Sequence, residues 1–262
     1  MQPSEVRSHL NQSMGLQIRA DEAAAMLASR KQLAARYIYN RALIEIVRIV
    51  PPDALGEEVA LNLEHAAFSL LRSERADDYA QRRTISSLLI DFLGELSKTR
   101  FLTVSERFTR ELTGLSSTGA KDTDAKVEHI LKGVRKLRLR VYPETELEMS
   151  AEFLQNLAHL FANAHGHALK AAYAETFTHL LHPVIETATA EVNHPMWANV
   201  IAALLQRAMA MAAKPRYWSV AFPLVVVTLA VSPREVFMEH WQHSIDVIAA
   251  KSKVGLRGLY RR

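Results

Sequence analysis

Apolar residues recur at every third or fourth position along most of this chain. Three such series stand at Val59, Leu63, Ala66 and Leu70, at Ile85, Leu88, Leu89, Phe92 and Leu96, and at Val127, Ile130, Leu131, Val134, Leu137 and Val141. Residues three or four apart lie on one side of an α-helix, so each series forms a stripe that must be buried. No stretch alternates with period two over the length of a strand, and we therefore predict an all-α fold.

Proline, glycine and polar residues divide these segments into about five helical pairs. The predicted pairs are 21–50 with 54–73, 77–99 with 103–113, 124–142 with 146–164, 167–192 with 196–213, and 216–230 with 233–250. Thr103, Thr145 and Ser232 each precede a glutamate by three residues, which predicts a capping box at three helix starts. The pairs recur at a spacing close to the roughly 40–47 residues of HEAT and armadillo-like repeats. The sequence therefore predicts a HEAT/armadillo-like α-solenoid, with a compact helical bundle as the alternative.

The domain organisation follows from the same boundaries. We predict a single helical-repeat domain over 21–250, a flexible N-terminus over 1–20 and a basic C-terminal tail over 251–262. The polar, glycine-bearing segment GLSSTGAKDT (114–123) is predicted to be a flexible loop inside the domain.

Composition excludes several classes of function. Hydrophobic residues make up 49% of the chain and charged residues 23%, as in a globular protein. The absence of cysteine excludes disulfides, thiol catalysis and Cys-bound zinc, and fits a reducing, cytoplasmic compartment. The N-terminus shows no apolar secretory signal, and the longest apolar run, VAFPLVVVTLAV (220–231), is shorter than the roughly 20 residues of a membrane span. A net charge of +4 permits acidic partners without requiring nucleic acid.

The strongest local charge is a run of basic residues in LKGVRKLRLR (131–140). We call it the basic strip, and it comprises Lys132, Arg135, Lys136, Arg138 and Arg140, with no acidic residue among them. On a continuous helix, Lys132, Lys136 and Arg140 would share one face, away from the apolar stripe. This pattern predicts a docking surface for an acidic protein partner, and a simple solvated face is the alternative. Nucleic acid is disfavoured because no aromatic residues are interleaved for stacking on bases.

Six of the eleven histidines lie between His159 and His194. Glu175, His179, His182 and Glu186 would share one face of an unbroken helix, as metal ligands can. Pro183 is expected to kink or break that helix, and the opposite face is an ordinary core stripe. We therefore predict a solvated face with no metal and no cofactor, and keep a metal-dependent enzyme as the alternative.

Trp197 follows the helix-to-helix corner Asn193-His194-Pro195. Proline favours the first position of a helix, so the next helix is expected to begin here. The simplest interpretation of Trp197 is a core anchor for the corner. A partner-binding anchor is the alternative, since tryptophan is frequent at interaction hot spots.

Several segments resemble the N-terminal region of the Furry family, the large cell-morphogenesis proteins of fungi and animals. The most specific are TATAEVNHPMW (187–197) and KPRYWSVAFPL (214–224), and similarity extends to KQLAARYIYNRALIEIVRIVP (31–51), SKTRFLTVSERFTREL (97–112) and LRLRVYP (137–143). The resemblance covers about 31–250 and is closest to fungal members.

The resemblance implies a non-enzymatic helical scaffold with no small-molecule substrate. Family members associate with NDR-family kinases and their Mob coactivators in polarised growth and cell-shape control. It also implies a place at the cell cortex or at sites of polarised growth. A generic α-solenoid adaptor for other protein partners is the alternative.

Overall fold

The structure is a computed structural model that describes residues 3–51, 54–73, 79–116, 123–188 and 192–259. In those residues the regular structure is helical, without a strand, which confirms the all-α prediction. The helices are α1 (Pro3–Ile49), α2 (Glu57–Ser73), α3 (Tyr79–Leu96), α4 (Phe101–Ser116), α5 (Thr123–Val134), α6 (Glu144–Asn163), α7 (His167–Thr187), α8 (Pro195–Ala212), α9 (Trp218–Ala230) and α10 (Arg234–Leu259). No helix in this described part of the chain is both long and apolar enough to cross a membrane.

The sequence predicts ten α-helices and the described residues form ten, but several boundaries differ. Helix α1 begins at Pro3 rather than near residue 21, and α10 continues through Leu259 into the predicted tail. The predicted loop 114–123 falls largely outside the described residues; its first three residues belong to α4 and its last begins α5.

The predicted capping boxes are wrong. Thr103 lies inside α4 and donates its hydroxyl to the Arg100 carbonyl, while Ser232 donates to the carbonyl of Leu229 behind it. Helix α6 begins at Glu144 after Pro143, whose side chain forms no capping hydrogen bond, so Thr145 is already helical. Serine and threonine hydroxyls can donate to a carbonyl three or four residues earlier as well as accept from a free helix amide. The residue type alone therefore does not identify a helix cap.

The sequence predicts a kink or a break at Pro183, and the helix does not break there. Helix α7 runs through this proline to Thr187. A proline inside a helix costs one hydrogen bond and about 3 kcal/mol. The neighbouring side chains of Leu180, Leu181 and Val184 are almost completely buried, and their packing holds the helix together across that defect.

The contacts divide the chain into two compact units, Met1–Phe92 and Leu93–Arg262. In the first unit the buried apolar side chains include Ile44 on α1 and Phe68 on α2. The sequence predicts one domain over 21–250, and that single domain stays a prediction.

The second unit contains two rows of stacked helices. Helix α4 packs on α6 and α6 on α8, whereas α5 packs on α7 and α7 on α9. Contacts of α4 with α5 and of α8 with α9 join the rows, and α10 packs on α9. Successive helices therefore alternate between the rows, and the connections alternate between two edges of the unit.

Contacts between connections identify the two edges. On the first, which we call the His167 edge (162–170 and 212–218), the ring of His167 stacks on Tyr217 with centroids 5.0 Å apart. On the other, the indole of Trp197 donates a hydrogen bond to the carbonyl of Val231. Helix α6 separates these edges along its twenty residues, a length of about 30 Å.

Gly94 on α3 is required for close packing against the connection after α5. A Cβ at this position would lie 2.7 Å from the Cβ of Lys136 and 3.4 Å from its carbonyl oxygen. We expect Gly94→Ala to destabilise the chain by up to about 2 kcal/mol, because a steric cost of about 1–3 kcal/mol opposes a gain of about 1 kcal/mol in helix propensity.

Urea unfolding followed by circular dichroism measures this effect. Gly114→Ala on α4 is the matched control, since a Cβ there meets nothing within 4 Å. It is expected to leave stability unchanged or raise it by up to about 1 kcal/mol. Equal changes for the two variants would contradict the packing role of Gly94.

Candidate protein-docking surface

The basic strip does not lie on one helical face, so that prediction is wrong. Helix α5 ends at Val134, and residues 137–140 lie in neither helix nor strand. Leu137 and Leu139 are buried, whereas Arg138 and Arg140 between and after them are exposed. This alternation is typical of an extended chain with one side against a core. The chain therefore leaves α5 after Val134, and the rest of the basic strip lies outside the helix.

Arg135 is committed to internal contacts with α7. Its Nη2 lies 2.9 Å from Oε2 of Glu175 and donates to the carbonyl of Ala172 at 3.3 Å. Its Nε donates to Oγ1 of Thr176 at 3.2 Å. The guanidinium therefore joins the end of α5 to α7, and its role in partner binding stays a prediction.

Arg140, the last residue of the basic strip, also forms contacts within the chain. Its guanidinium donates to the carbonyl of Lys98 and lies 3.4 Å from Oε1 of Glu146. Its backbone N–H donates to Oγ of Ser150 at 3.0 Å. These bonds fix the connection to the start of α6, and the docking role of Arg140, whose side chain is 47% exposed, stays a prediction.

Three cations of the basic strip remain exposed: Lys132, Lys136 and Arg138. Within the described residues, neither Lys132 nor Arg138 forms an ion pair or a side-chain hydrogen bond. Burial, and then the charge of Lys132, lower the pKa of His129 below its usual value of 6.5. His129 therefore stays neutral at pH 7, and the positive charge here comes from lysine and arginine. We call these three residues the exposed strip.

Trp197 is part of the core. None of its side chain is exposed, and its indole N–H donates to the carbonyl of Val231 at 3.0 Å. Pro195 stands at the first position of α8, as predicted. The geometry thus supports the core-anchor interpretation, and Trp197 as a contact for partners stays a prediction.

The predicted row of glutamates and histidines on α7 does not converge on one point. Glu175 faces Arg135, and His179 Nδ1 lies 2.7 Å from the carbonyl of Glu175 on its own helix. His182 and Glu186 form an exposed pair with 3.7 Å between Nδ1 and Oε1.

The described residues bring a different set of metal-ligand types together. Nε2 of His194 lies 4.0 Å from Oε1 of Glu144 and 3.9 Å from Oε1 of Glu148. A metal-bound histidine normally donates its other ring N–H to an acceptor. Here Nδ1 is buried without a hydrogen-bond partner in the described chain, so metal binding through Nε2 would leave a buried donor unpaired. The geometry favours a weak electrostatic contact between the corner and the start of α6.

An open pocket of about 420 Å³ lies between the ends of α7 and α9 and the start of α10. Its walls include Val184, Leu229 and Phe237, and its polar side chains are Ser232 and Arg234. No carboxylate or imidazole stands among the described residues of its lining. Burial also raises the pKa of Tyr173 to about 12, which keeps that core phenol protonated.

Comparisons with known proteins give a consistent result. The family model described as "Cell morphogenesis N-terminal" matches residues 29–256. The chain is 35% identical over 216 residues to the cell polarity protein mor2 of Schizosaccharomyces pombe, covering 80% of this chain and 10% of that protein. It is 32% identical over 260 residues to the cell morphogenesis protein PAG1 of Saccharomyces cerevisiae, covering 96% and 11%. The chain thus spans about a tenth of the length of these curated relatives. No solved structure matches.

Proposed function

Because this chain belongs to the cell morphogenesis N-terminal family, which includes fungal polarity proteins, we propose that it is a helical scaffold segment acting in cell morphogenesis. The membership confirms the family resemblance of the segments TATAEVNHPMW and KPRYWSVAFPL. The proposed scaffold works without catalysis, in the cytoplasm at the cell cortex or at sites of polarised growth.

The observation that carries a scaffold role is the pair of helix rows in the second unit. Helices that stack on the next helix but one, in two rows, are what an α-solenoid requires. In a bundle, all helices would instead surround a common core. A stacked array presents its connections and outer faces to partners, and this favours a HEAT/armadillo-like protein-binding role.

The proposed partners are an NDR-family kinase and its Mob coactivator. Lys132, Lys136 and Arg138 of the exposed strip face solvent. Like charges at neighbouring positions attract an acidic surface and speed its association, in a way that salt weakens. We therefore place the kinase–Mob contact at the exposed strip.

Calorimetric titration of the chain with an NDR kinase N-lobe–Mob complex tests this proposal. We expect binding that weakens from low to moderate salt. The triple variant Lys132→Glu, Lys136→Glu and Arg138→Glu should weaken it by about tenfold or more, since close charge pairs at interfaces couple by about 1.5 kcal/mol or more.

Arg110→Glu on α4 is the control, because Arg110 is an exposed cation outside the strip. It should leave the affinity nearly unchanged. The absence of binding at either salt concentration would refute the kinase–Mob assignment and favour the generic adaptor. If the triple variant bound as tightly as the unmodified chain, the docking site would lie outside the exposed strip.

A further inference from the structure

The His167 edge carries a second basic surface. His167 stacks on Tyr217 with an interplanar angle of 15°, and its Nε2 lies 3.0 Å from the carbonyl oxygen of Arg216. The guanidinium of Arg216 lies over the Tyr217 ring, 4.9 Å from its centroid. These contacts hold the α6–α7 turn beside the α8–α9 connection, so the charges of the two segments lie on neighbouring corners.

The charges on these two corners have one sign. We call them the basic corner, which comprises His165, His167, Lys170, Lys214 and Arg216. The sequence contains no aspartate or glutamate between Glu152 and Glu175, and none between Glu191 and Glu235. Lys170, Lys214 and Arg216 form no ion pair within the described residues. Their positive charge is therefore not neutralised by the segments that build this edge.

The basic corner lacks the side chains by which proteins usually bind lipid surfaces or nucleic-acid bases. The large apolar side chains exposed elsewhere include none from 162–170 or 212–218, so nothing is available for insertion into a lipid surface. Tyr217 is buried, and the indole of Trp218 donates to the Ala212 carbonyl and stacks on Phe222. Neither ring is presented as a platform for nucleic-acid bases. A hydrophilic, acidic protein segment fits these properties.

The spacing of the corners limits the size of that segment. Packed helices lie about 8–10 Å apart, so two neighbouring corners span roughly 10–20 Å. An extended chain advances about 3.3 Å per residue and crosses that distance in about five residues. We propose that the basic corner docks an extended acidic segment of a protein partner, with carboxylates on Lys170, Lys214 and Arg216.

This surface is separate from the exposed strip. The two share no residue, although Arg135 beside Lys136 donates to the carbonyl of Ala172, two residues from Lys170. The docking of an acidic segment at the basic corner does not depend on kinase–Mob binding at the strip, so either proposal can fail alone.

Fluorescence anisotropy with a labelled peptide of alternating glutamate and aspartate, about six residues long, tests the basic corner. We expect saturable binding by the full chain at about 0.15 M salt. The variant Lys170→Glu, Lys214→Glu and Arg216→Glu should weaken it by about tenfold or more. The exposed-strip triple variant makes the same change in net charge and should weaken it less, because Lys132, Lys136 and Arg138 are not among the proposed contacts.

Three results would overturn the proposal. They are no saturable binding by the unmodified chain, equal weakening by the two triple variants, or tighter binding of a single-stranded oligonucleotide or phosphatidylserine vesicles at the same corner. If the charge-reversed variant does not fold, Lys170→Ala with Lys214→Ala replaces it. Neither lysine forms a hydrogen bond or ion pair in the described chain, and the same weakening relative to the strip control is expected.

Discussion

Trp197→Ala is expected to lower the free energy of unfolding by about 3–5 kcal/mol, the range for removing a large aromatic side chain from a core. The side chain is completely buried, so its loss leaves a cavity beside the corner that begins α8. It also leaves the carbonyl of Val231 without its indole donor. That carbonyl ends α9, and the substitution therefore loosens two connections on the same edge of the second unit.

Urea unfolding of Trp197→Ala and Trp197→Phe separates the cavity from the hydrogen bond. Phenylalanine keeps most of the buried ring and leaves the carbonyl unpaired, so a loss of about 1–3 kcal/mol is expected. Trp218→Ala is the comparison, since that indole is only partly buried. It should cost less than Trp197→Ala. A loss below about 1 kcal/mol for Trp197→Ala, together with lost partner binding, would restore Trp197 as a docking anchor.

The second large effect is expected at Arg135. Arg135→Ala should destabilise the chain by about 1.5–3 kcal/mol, the range for hydrogen bonds to charged groups. The substitution removes the 2.9 Å contact with Glu175 and the donors to Thr176 and the Ala172 carbonyl. Arg135→Lys keeps the charge but not the planar fork, so it should recover only part of the loss.

Lys132→Ala is the matched control for Arg135→Ala. Lys132 is an exposed cation one turn earlier on α5 and should change stability by no more than about 0.5 kcal/mol. Thermal or urea unfolding of both variants makes the comparison. If they were equally stable, Arg135 would be a surface charge after all, and the original five-residue strip would stand.

The helices could be predicted because their signal is local. Residues three or four apart decide which side of a helix is buried, and Val127, Ile130 and Leu131 on α5 are indeed buried. The end of α5 was misplaced because Leu137 and Val141 also fit that spacing. The alternation Leu137-Arg138-Leu139-Arg140 was the competing signal, and it indicates the extended segment that the structure contains.

The docking surface could be predicted only in part because the residues that contact its arginines within the chain are distant in sequence. Arg135 bonds Thr176, 41 positions away, and Arg140 bonds Lys98, 42 positions away. No local pattern distinguishes such an engaged arginine from a free one like Arg138. The basic corner was missed although the sequence held a sign of it, namely the two long stretches without an acidic residue.

The contact of Arg135 with α7 has a consequence for how partners are brought together. Arg135 stands between Lys132 and Lys136 and donates to the carbonyl of Ala172, two residues from Lys170 of the basic corner. The two basic surfaces therefore approach each other along the first turns of α7. A ligand with two acidic motifs joined by a short linker would bind bivalently, and its avidity would exceed either single affinity by about 10²–10⁴.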